Sequence, residues 1–314
     1  MKFLKTICAF SLSFCLILSG CSQAVLEESS SASLSSIPEV VVERPSSHPV
    51  ASQDVPFSDE ILSSAPDPVV SQTPADLSAL STTTITWGPG TAKNANGRPV
   101  APVDLQKKYG HLGAYFIVDS ESDVYLTFDE GYENGYTPAI LDTLKAKNVK
   151  AVFFVTMPFA KENPELIQRM IDEGHIVGNH SVNHKDMSTL DDATATEEIM
   201  GLHNYIKDTF GYEMWLFRPP TGAFSERSLG ITHNCGYISV FWSFAYRDWV
   251  TDDQMSTADA MARLSDNLYG GALYLLHAVS STNTAILGDF IDKAEAQGLT
   301  FGDFSKLPDP YVSQ

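Results

Sequence analysis

Short apolar runs alternate with longer segments of helical periodicity from residue 123 to residue 301. The apolar runs lie at 124–128, 151–156, 176–178, 214–217, 238–242, 272–276 and, more weakly, 299–301. The helical patterns lie at 137–147, 163–173, 192–209, 225–234, 255–268 and 283–297. Strands that alternate with helices pair in parallel, because each helix returns the chain to the same edge of the sheet. The pattern predicts an α/β fold, a distorted or incomplete (β/α) barrel of about seven parallel strands.

An open doubly wound sheet is the alternative arrangement of the same elements. Its dinucleotide-binding form carries Gly-x-Gly-x-x-Gly after the first strand. The segment after residue 128 does not contain this sequence, which favours the barrel.

The first twenty residues have the pattern of a signal peptide. Lys2 and Lys5 precede an apolar run from Ile7 to Leu18, which is too short to span a membrane comfortably. Leu-Ser-Gly then precedes Cys21, and this resembles a bacterial lipoprotein signal, in which cleavage leaves the cysteine lipidated. We predict a signal peptide over 1–20 and a lipid anchor on Cys21 at the outer face of the cytoplasmic membrane. A plain secretory signal is the alternative.

Composition divides the remaining chain into a tether and a domain. Residues 21–85 are rich in Ser, Pro, Val and Ala without sustained periodicity, which predicts a disordered acidic tether. Trp87 and the turn sequences after it indicate the start of ordered structure. We assign 86–122 to an N-terminal elaboration, 123–305 to the main domain and 306–314 to a C-terminal tail.

Charge and cysteine content limit the possible functions. The formal net charge of −19 argues against a nucleic-acid-binding domain, since binding phosphate requires a basic surface. Of the four cysteines, only Cys235 lies beyond the predicted signal and lipid site, so the mature chain has no pair for an internal disulfide. Cys235 precedes an apolar run, and we interpret it as a buried small hydrophobic residue.

Two adjacent carboxylates end the first predicted strand. Residues 123–136 read Asp-Val-Tyr-Leu-Thr-Phe-Asp-Glu-Gly-Tyr-Glu-Asn-Gly-Tyr, so Asp129 and Glu130 precede a glycine at which the chain can turn sharply. Parallel α/β folds place their functional sites at the carboxyl ends of strands. An ordinary Asp-rich turn is the alternative, and the later strand ends decide between the two.

The later strand ends also carry polar side chains that enzymes use. His180 and His184 follow the third strand, and imidazoles at this spacing commonly share a metal ion. Arg218 follows the fourth strand, and the Pro-Pro-Thr-Gly sequence after it holds the loop rigidly. A fixed guanidinium keeps a neighbouring carboxylate ionised.

Two more strand ends complete the set. Asp248 and Trp249 follow the fifth strand, and His277 ends the sixth. Each of these residues alone has an ordinary structural explanation. Because all of them follow strands and therefore share one rim of the predicted barrel, together they indicate an active site.

The order and context of these motifs closely resemble the polysaccharide deacetylase family, also called the NodB-homology domain or carbohydrate esterase family 4. The resemblance covers about residues 120–305. The string Tyr-Leu-Thr-Phe-Asp-Glu-Gly-Tyr-Glu-Asn-Gly-Tyr, with Gly-Asn-His-Ser-x-x-His and Tyr-Leu-Leu-His, resembles the N-acetylmuramic acid deacetylases of peptidoglycan, which prepare muramic δ-lactam formation.

The resemblance implies a catalytic role for four residues. Asp129 matches the base that removes a proton from the attacking water, and Arg218 matches the residue that orients this base. His277 matches the general acid that protonates the leaving amine, and Asp248 the residue that tunes this acid. Amide hydrolysis needs such a base and acid, together with stabilised charge on the tetrahedral oxygen.

The resemblance also implies a metal site. His180 and His184 match two imidazole ligands of a divalent metal ion, usually zinc. Most family members complete the set with an Asp directly after the base, where this chain has Glu130. The additional methylene group shifts the carboxylate by about 1.5 Å. Three arrangements stay open: direct ligation by Glu130, ligation through a water molecule, and a weaker site of two histidines.

The remaining matches concern the substrate. Leu275 lies where the family has a pocket for the acetyl methyl group, and the backbone N–H of Thr221 matches a donor to the oxyanion. We expect Trp249 and Tyr132 to contact the sugar. The family often has an acidic residue three positions before the Asp-Trp pair, whereas this chain has Ala245, as the muramic acid subgroup does.

The resemblance therefore implies a monomeric, extracytoplasmic hydrolase that removes acetyl groups from muramic acid in peptidoglycan glycan strands. Two alternatives stay open. The same kind of enzyme could act on N-acetylglucosamine in peptidoglycan or chitin-like chains. An inactive wall-binding lipoprotein is the other, and it is disfavoured because all four catalytic residues are present.

Overall fold

A computed structural model of the chain describes residues 74–311. The predicted signal peptide, Cys21 and most of the predicted tether lie outside the described residues. None of the helices within 74–311 is long and apolar enough to cross a membrane.

The described chain forms eight strands in one parallel arrangement. They are β1 (Ala114–Tyr115), β2 (Asp123–Glu130), β3 (Val152–Val155), β4 (Ile176–Asn179), β5 (Leu216–Phe217), β6 (Ile238–Val240), β7 (Leu273–His277) and β8 (Thr300–Phe301). The strand order is β1-β6-β5-β4-β3-β2-β7, and β8 pairs with the first two residues of β2. Strand β2 is central, because it pairs with both β3 and β7 near its carboxyl end.

The sheet curls into an incomplete barrel. Strands β1 and β7 lie at its two ends, and the segment after β6 reaches across to β7. Phe244 forms a parallel bridge with Tyr274, and the N–H of Leu275 donates to the carbonyl oxygen of Phe244 at 2.9 Å. The prediction of a distorted parallel (β/α) barrel is therefore confirmed.

Eight α-helices accompany these strands in the described part of the chain. They are α1 (Val100–Tyr109), α2 (Thr137–Lys147), α3 (Met157–Glu162), α4 (Pro164–Asp172), α5 (Asp192–Phe210), α6 (Glu226–Asn234), α7 (Thr257–Ser265) and α8 (Ser281–Ala296). Local signals set several ends: Pro164 begins α4, and Asn148 and Gly211 end α2 and α5 in the left-handed conformation.

Strand β1 and helices α1 and α3 are absent from the sequence-based prediction. Strand β1 has only two residues, too few to show an alternating pattern. Helix α3 has six residues, directly after the apolar run of β3. Its first turn is capped by Thr156, whose hydroxyl accepts a hydrogen bond from the N–H of Phe159.

The two faces of β2 point into different parts of the core. Val124, Leu126 and Phe128 pack in the large cluster formed with the surrounding helices. Tyr125 packs with residues of the other strands inside the barrel. Since side chains alternate along a strand, Asp129 faces the barrel interior and Glu130 faces the helices.

The predicted boundary of the tether at residue 85 needs a correction. Ile85 pairs with Phe224 through two backbone hydrogen bonds of 2.7 and 3.0 Å. Leu77 and Leu80 pack so closely on Gly230 of α6 that a Cβ atom there would overlap both side chains. Residues 75–85 therefore belong to the folded domain, because their apolar side chains have a docking surface on α6.

The predicted elaboration and tail also join the domain. Residues 86–122 contain α1 and β1, and β1 pairs with β6 as the outer strand of the sheet. The hydroxyl of Tyr115 donates to the carbonyl oxygen of Pro308 in the tail. Cys235 is a partly buried free thiol, and burial raises its pKa.

Removing residues 75–85 should destabilise the domain. We expect a chain that begins at Thr86 to lose about 2 kcal/mol of unfolding free energy relative to one that begins at Pro74, because Leu77 and Leu80 leave apolar contacts. This corresponds to a fall in Tm of roughly 4–8 °C. Thermal unfolding of both chains measures the difference, and equal Tm values would show that the segment contributes no stability.

Candidate active site

The predicted catalytic side chains meet at the carboxyl ends of the strands. Asp129 is the second-last residue of β2 and His277 is the last residue of β7, and their Cα atoms are partners in the β2–β7 register. Arg218 directly follows β5, and His180 directly follows β4. Chain segments far apart in sequence thus bring a carboxylate, a guanidinium and two imidazoles to one rim.

Arg218 and Asp129 form a buried ion pair. The Nη1 atom of Arg218 donates to Oδ1 of Asp129 at 2.6 Å, and the guanidinium is fully buried. Its other N–H groups donate to the carbonyl oxygens of Val240 and Phe241 and to the hydroxyl of Thr127. The Phe154 ring lies 4.2 Å from the guanidinium carbon. The guanidinium is consequently held in one orientation.

This pairing sets the charge of Asp129. Burial alone would raise the pKa of the Asp129 carboxyl, but the charge and hydrogen bond of Arg218, together with the nearby imidazoles, outweigh burial and lower it. Burial also lowers the pKa of Arg218, and Asp129 opposes that change. Asp129 is therefore an ionised, partly desolvated carboxylate, a suitable acceptor for a proton.

His180 and His184, which follow the third predicted strand, lie side by side. Their ring centroids are 4.8 Å apart, and Nε2 of His180 lies 3.5 Å from Oδ2 of Asp129. The Nδ1–H of His180 donates to the carbonyl oxygen of Arg218 at 2.8 Å, which leaves the lone pair on Nε2. Burial lowers the pKa of His180 to about 4, so this imidazole is neutral at pH 7.

Asp248 and His277 form the second charged pair of the site. The Nδ1–H of His277 donates to Oδ1 of Asp248 at 2.7 Å, and the backbone N–H of His277 donates to Oδ2 at 2.8 Å. Asp248 is buried, whereas the His277 ring is partly exposed. The ring is thus anchored through one nitrogen, and its Nε2 is left for another partner.

The environment of His277 favours its protonated form. Burial would lower the pKa of the imidazole, but the hydrogen bond and charge of Asp248, with the charge of Asp129, raise it above its usual value. Asp129 and His277 therefore have pKa values shifted in opposite directions, as a base and an acid that act together require.

Glu130 does not join the two histidines. Its side chain is fully buried, with Oε2 at 3.5 Å from the hydroxyl of Thr137 on α2, and Oε1 has no hydrogen-bond partner among the described residues. Burial and the nearby carboxylates of Glu133 and Asp129 raise its pKa well above the usual value. Within residues 74–311, no three residues of the His, Cys, Asp or Glu types are grouped as a metal site.

The two imidazoles nevertheless suit a divalent metal ion. A ligating histidine must be neutral and is usually fixed by a hydrogen bond from its other nitrogen, and His180 meets both conditions. His184 is solvent-accessible beside it. The three predicted ligands are thus divided: the histidines lie together, and Glu130 lies on the helical side of β2.

The residues predicted to contact substrate occupy different depths. Trp249 and Tyr132 are each 50% exposed, although both are large aromatic residues, and the Trp249 ring lies 5.5 Å from the His277 ring. Thr221 is exposed on the turn after Arg218, with a left-handed φ of 61°. Leu275 is buried in a cluster with Trp242. Two aromatic faces are therefore available at the rim.

The sequence did not predict two residues that hold side chains of the site in place. Thr127 accepts from Arg218 and donates to the carbonyl oxygen of Tyr274 at 2.6 Å. Asn283, in the first turn of α8, donates to Oδ2 of Asp248 at 2.5 Å and accepts from the hydroxyl of Tyr246. The sequence feature that could have indicated them is a polar residue within an otherwise apolar strand or helix face.

Known proteins share this fold and sequence. A family model described as polysaccharide deacetylase matches residues 117–240. The peptidoglycan-N-acetylmuramic acid deacetylase PdaA of Bacillus subtilis is 39% identical over 74% of this chain and 89% of its own. A peptidoglycan-N-acetylglucosamine deacetylase of Bacillus cereus is 30% identical over 66% of this chain and 74% of its own.

A solved structure agrees with these sequence matches. The structure of Bacillus subtilis PdaA, described as a family 4 carbohydrate esterase, superposes with a TM-score of 0.67 at 39% identity and covers 70% of this chain and 95% of that one. Sequence similarity and fold point to the same assignment, which the sequence motifs predicted. The chain belongs to the polysaccharide deacetylase family, carbohydrate esterase family 4.

Proposed function

We propose that this protein hydrolyses the N-acetyl group of N-acetylmuramic acid residues in peptidoglycan glycan strands. The observation that carries the reaction type is the placement of Asp129 and His277 on neighbouring strands, each with its own charged partner. The choice of sugar rests on the greater similarity to the muramic acid deacetylase than to the glucosamine deacetylase.

Asp129 is the proposed base. Its carboxylate is ionised because Arg218 compensates its charge, and it takes a proton from the water that attacks the acetyl carbonyl carbon. Arg218 is already fixed by backbone carbonyl oxygens and Thr127. The acceptor oxygen of the base is therefore held in place before substrate arrives.

His277 is the proposed acid. Its Nδ1–H remains with Asp248, so the proton on Nε2 passes to the amide nitrogen as the C–N bond breaks. Asp248 favours the imidazolium and fixes the ring. The products are acetate and a free amine on the sugar.

Deacetylases of this family are generally metal-dependent. We propose that His180 and His184 hold a divalent cation, with zinc as the expected ion, and that Glu130 lies too far toward α2 to be a direct ligand in the described conformation. When bound, the ion supplies electrostatic stabilisation of negative charge on the carbonyl oxygen. The backbone N–H of Thr221 is the proposed second donor to that oxygen.

The exposed aromatic rings are the proposed sugar-binding surface. Trp249 lies beside the acid, and Tyr132 lies on the loop after the base. Aromatic faces pack against the apolar faces of sugar rings, so these two side chains can position the glycan on either side of the acetyl group. Leu275 is the proposed contact for the acetyl methyl group.

The location of the enzyme is part of the proposal. We propose that residues 1–20 are removed, that Cys21 is lipidated, and that the acidic segment before residue 74 tethers a monomeric domain to the outer face of the cytoplasmic membrane. Peptidoglycan is reached from that side. The basis is the sequence pattern of residues 1–21.

The identity of the product sugar tests the function. We expect purified protein, incubated with glycan strands with and without peptide stems, to release acetate and leave muramic acid residues with a free amine, detected by mass spectrometry. Deacetylation of glucosamine residues alone would contradict the muramic assignment. Glycan binding without acetate release under any metal condition would favour the inactive wall-binding alternative.

Asp129→Asn should reduce kcat by about 10²–10⁴, because the amide cannot accept the proton from water. Its oxygen still accepts from Arg218, so the fold should persist at a lower Tm, checked by circular dichroism. Asp123→Asn, at the other end of β2, is the matched control and should retain wild-type kcat. Unchanged activity of Asp129→Asn would remove it from the role of base.

Asp248→Asn should move the basic limb of the kcat/KM profile to lower pH. Asp248 raises the pKa of His277, so its loss leaves burial to lower that pKa, and the acid then loses its proton at lower pH. Asp253→Asn, an exposed partner of Arg247 on the same loop, should leave the profile unchanged. An unshifted limb in Asp248→Asn would show that His277 is not the acid.

A further inference from the structure

The two histidines lie on a loop with an unfavourable backbone conformation. Ser181 (φ 72°) and His184 (φ 54°) both adopt the left-handed region, which residues other than glycine rarely occupy. Such conformations persist only where several surrounding contacts hold the backbone in place. Part of that restraint is local, because the N–H of His184 donates to the hydroxyl of Ser181 at 2.9 Å.

The larger restraint comes from Glu198 on helix α5. Its side chain is buried, and Oε2 accepts from the backbone N–H of Asn183 at 2.7 Å while Oε1 accepts from Nδ2 of Asn183 at 2.8 Å. The ammonium of Lys185 lies 3.0 Å from Oε1. The backbone carbonyl of Glu198 accepts from the N–H of Val182 at 3.0 Å. One helical residue thus binds the loop immediately before and after His184.

These contacts have the properties of a strong clamp. Burial would raise the pKa of Glu198, but the donors of Asn183 and the charge of Lys185 lower it, so the carboxylate is ionised. Hydrogen bonds to an ionised acceptor are stronger than those between neutral groups. Helix α5 has 19 residues and packs in the main core, so it provides a rigid base for the loop.

We propose that Glu198 is a positioning residue for the metal site, which fixes His184 against His180 so that both imidazoles reach one ion. This inference rests on the proposed function of the two histidines. Because Glu130 lies on the other side of β2, the two imidazoles are the predicted ligands that remain together, so their relative placement should largely set the affinity of the site. A loop free to relax would separate the rings.

The test uses Zn²⁺ alone, titrated into the full-length protein in competition with a chromophoric chelator. Glu198→Gln keeps the shape of the side chain but replaces one acceptor oxygen with an amide donor, which opposes one of the two donors of Asn183. We expect the Kd for Zn²⁺ to rise about 10-fold or more, the range found when groups that orient metal ligands are changed. Hydrogen exchange of residues 181–185 in the metal-free protein should accelerate in parallel.

Glu173→Gln is the matched control. Glu173 follows helix α4, pairs with Arg169 and Lys145, and lies before β4, at the opposite end of that strand from the histidines. Its replacement removes a comparable paired carboxylate. We expect Glu173→Gln to change the Tm without changing Zn²⁺ affinity or the hydrogen exchange of residues 181–185. If Glu198 contributed only to overall stability, Glu198→Gln would behave in the same way.

A second variant covers the case in which Glu198→Gln does not fold. Asn183→Ala removes one hydrogen bond to Glu198 and leaves the backbone N–H and Lys185 in place. We expect a smaller rise in the Kd for Zn²⁺, about threefold. Wild-type affinity in a folded Glu198→Gln protein, or in Asn183→Ala when the first variant is unfolded, overturns the inference.

His184→Ala separates this inference from the proposed function. If Zn²⁺ affinity falls in His184→Ala but not in Glu198→Gln, the metal site stands and the positioning role is wrong. If His184→Ala itself binds Zn²⁺ as the wild type does, the assignment of the histidines is wrong and the positioning role is overturned with it. Weakened binding in both variants, with an unaffected Glu173→Gln, supports the inference.

Discussion

The buried ion pair of Arg218 and Asp129 is the interaction on which the rest of the site depends. A guanidinium removed from water is tolerated only when acceptors and an opposite charge surround it. Here Asp129 supplies the opposite charge, and backbone carbonyl oxygens of β6 and the residue after it are the other acceptors. The carbonyl oxygen of Arg218 also fixes the tautomer of His180. Arg218 therefore links the proposed base to the predicted metal site and both to the barrel interior.

The alternation of side chains along β2 separates two carboxylates that are adjacent in sequence. Asp129 enters the interior, where Arg218 compensates its charge, and Glu130 enters the helical layer, where burial and Glu133 disfavour ionisation. The motif predicted both as polar residues of one site. At the end of a strand the sequence does not show which way each side chain points, because the regular alternation of side chains can stop after either residue.

Motif-based prediction was strongest where function and strand ends coincide. The parallel topology alone places four site residues on one rim, because each lies at or directly after the carboxyl end of a strand: Asp129, His180, Arg218 and His277. Residues that act from helices were missed. Glu198 lies 14 positions beyond His184 on the face of α5, and nothing in a helical pattern shows which loop a buried glutamate will contact. Short elements such as β1 were not predicted, because two residues are too few to show a periodic pattern.

The proposed catalytic groups account for the type of reaction but not for the choice of sugar. In the proposed mechanism the base, the acid and the histidine pair all act on the acetamido group, which N-acetylmuramic acid and N-acetylglucosamine share. N-acetylmuramic acid differs from N-acetylglucosamine by a lactyl ether. Other side chains must therefore discriminate between the two sugars. Trp249 and Tyr132 are exposed, and Ala245 stands where the family often has an acidic residue. An acidic side chain at position 245 would add negative charge that disfavours the lactyl carboxylate, so the neutral Ala245 is consistent with the proposed muramic acid substrate.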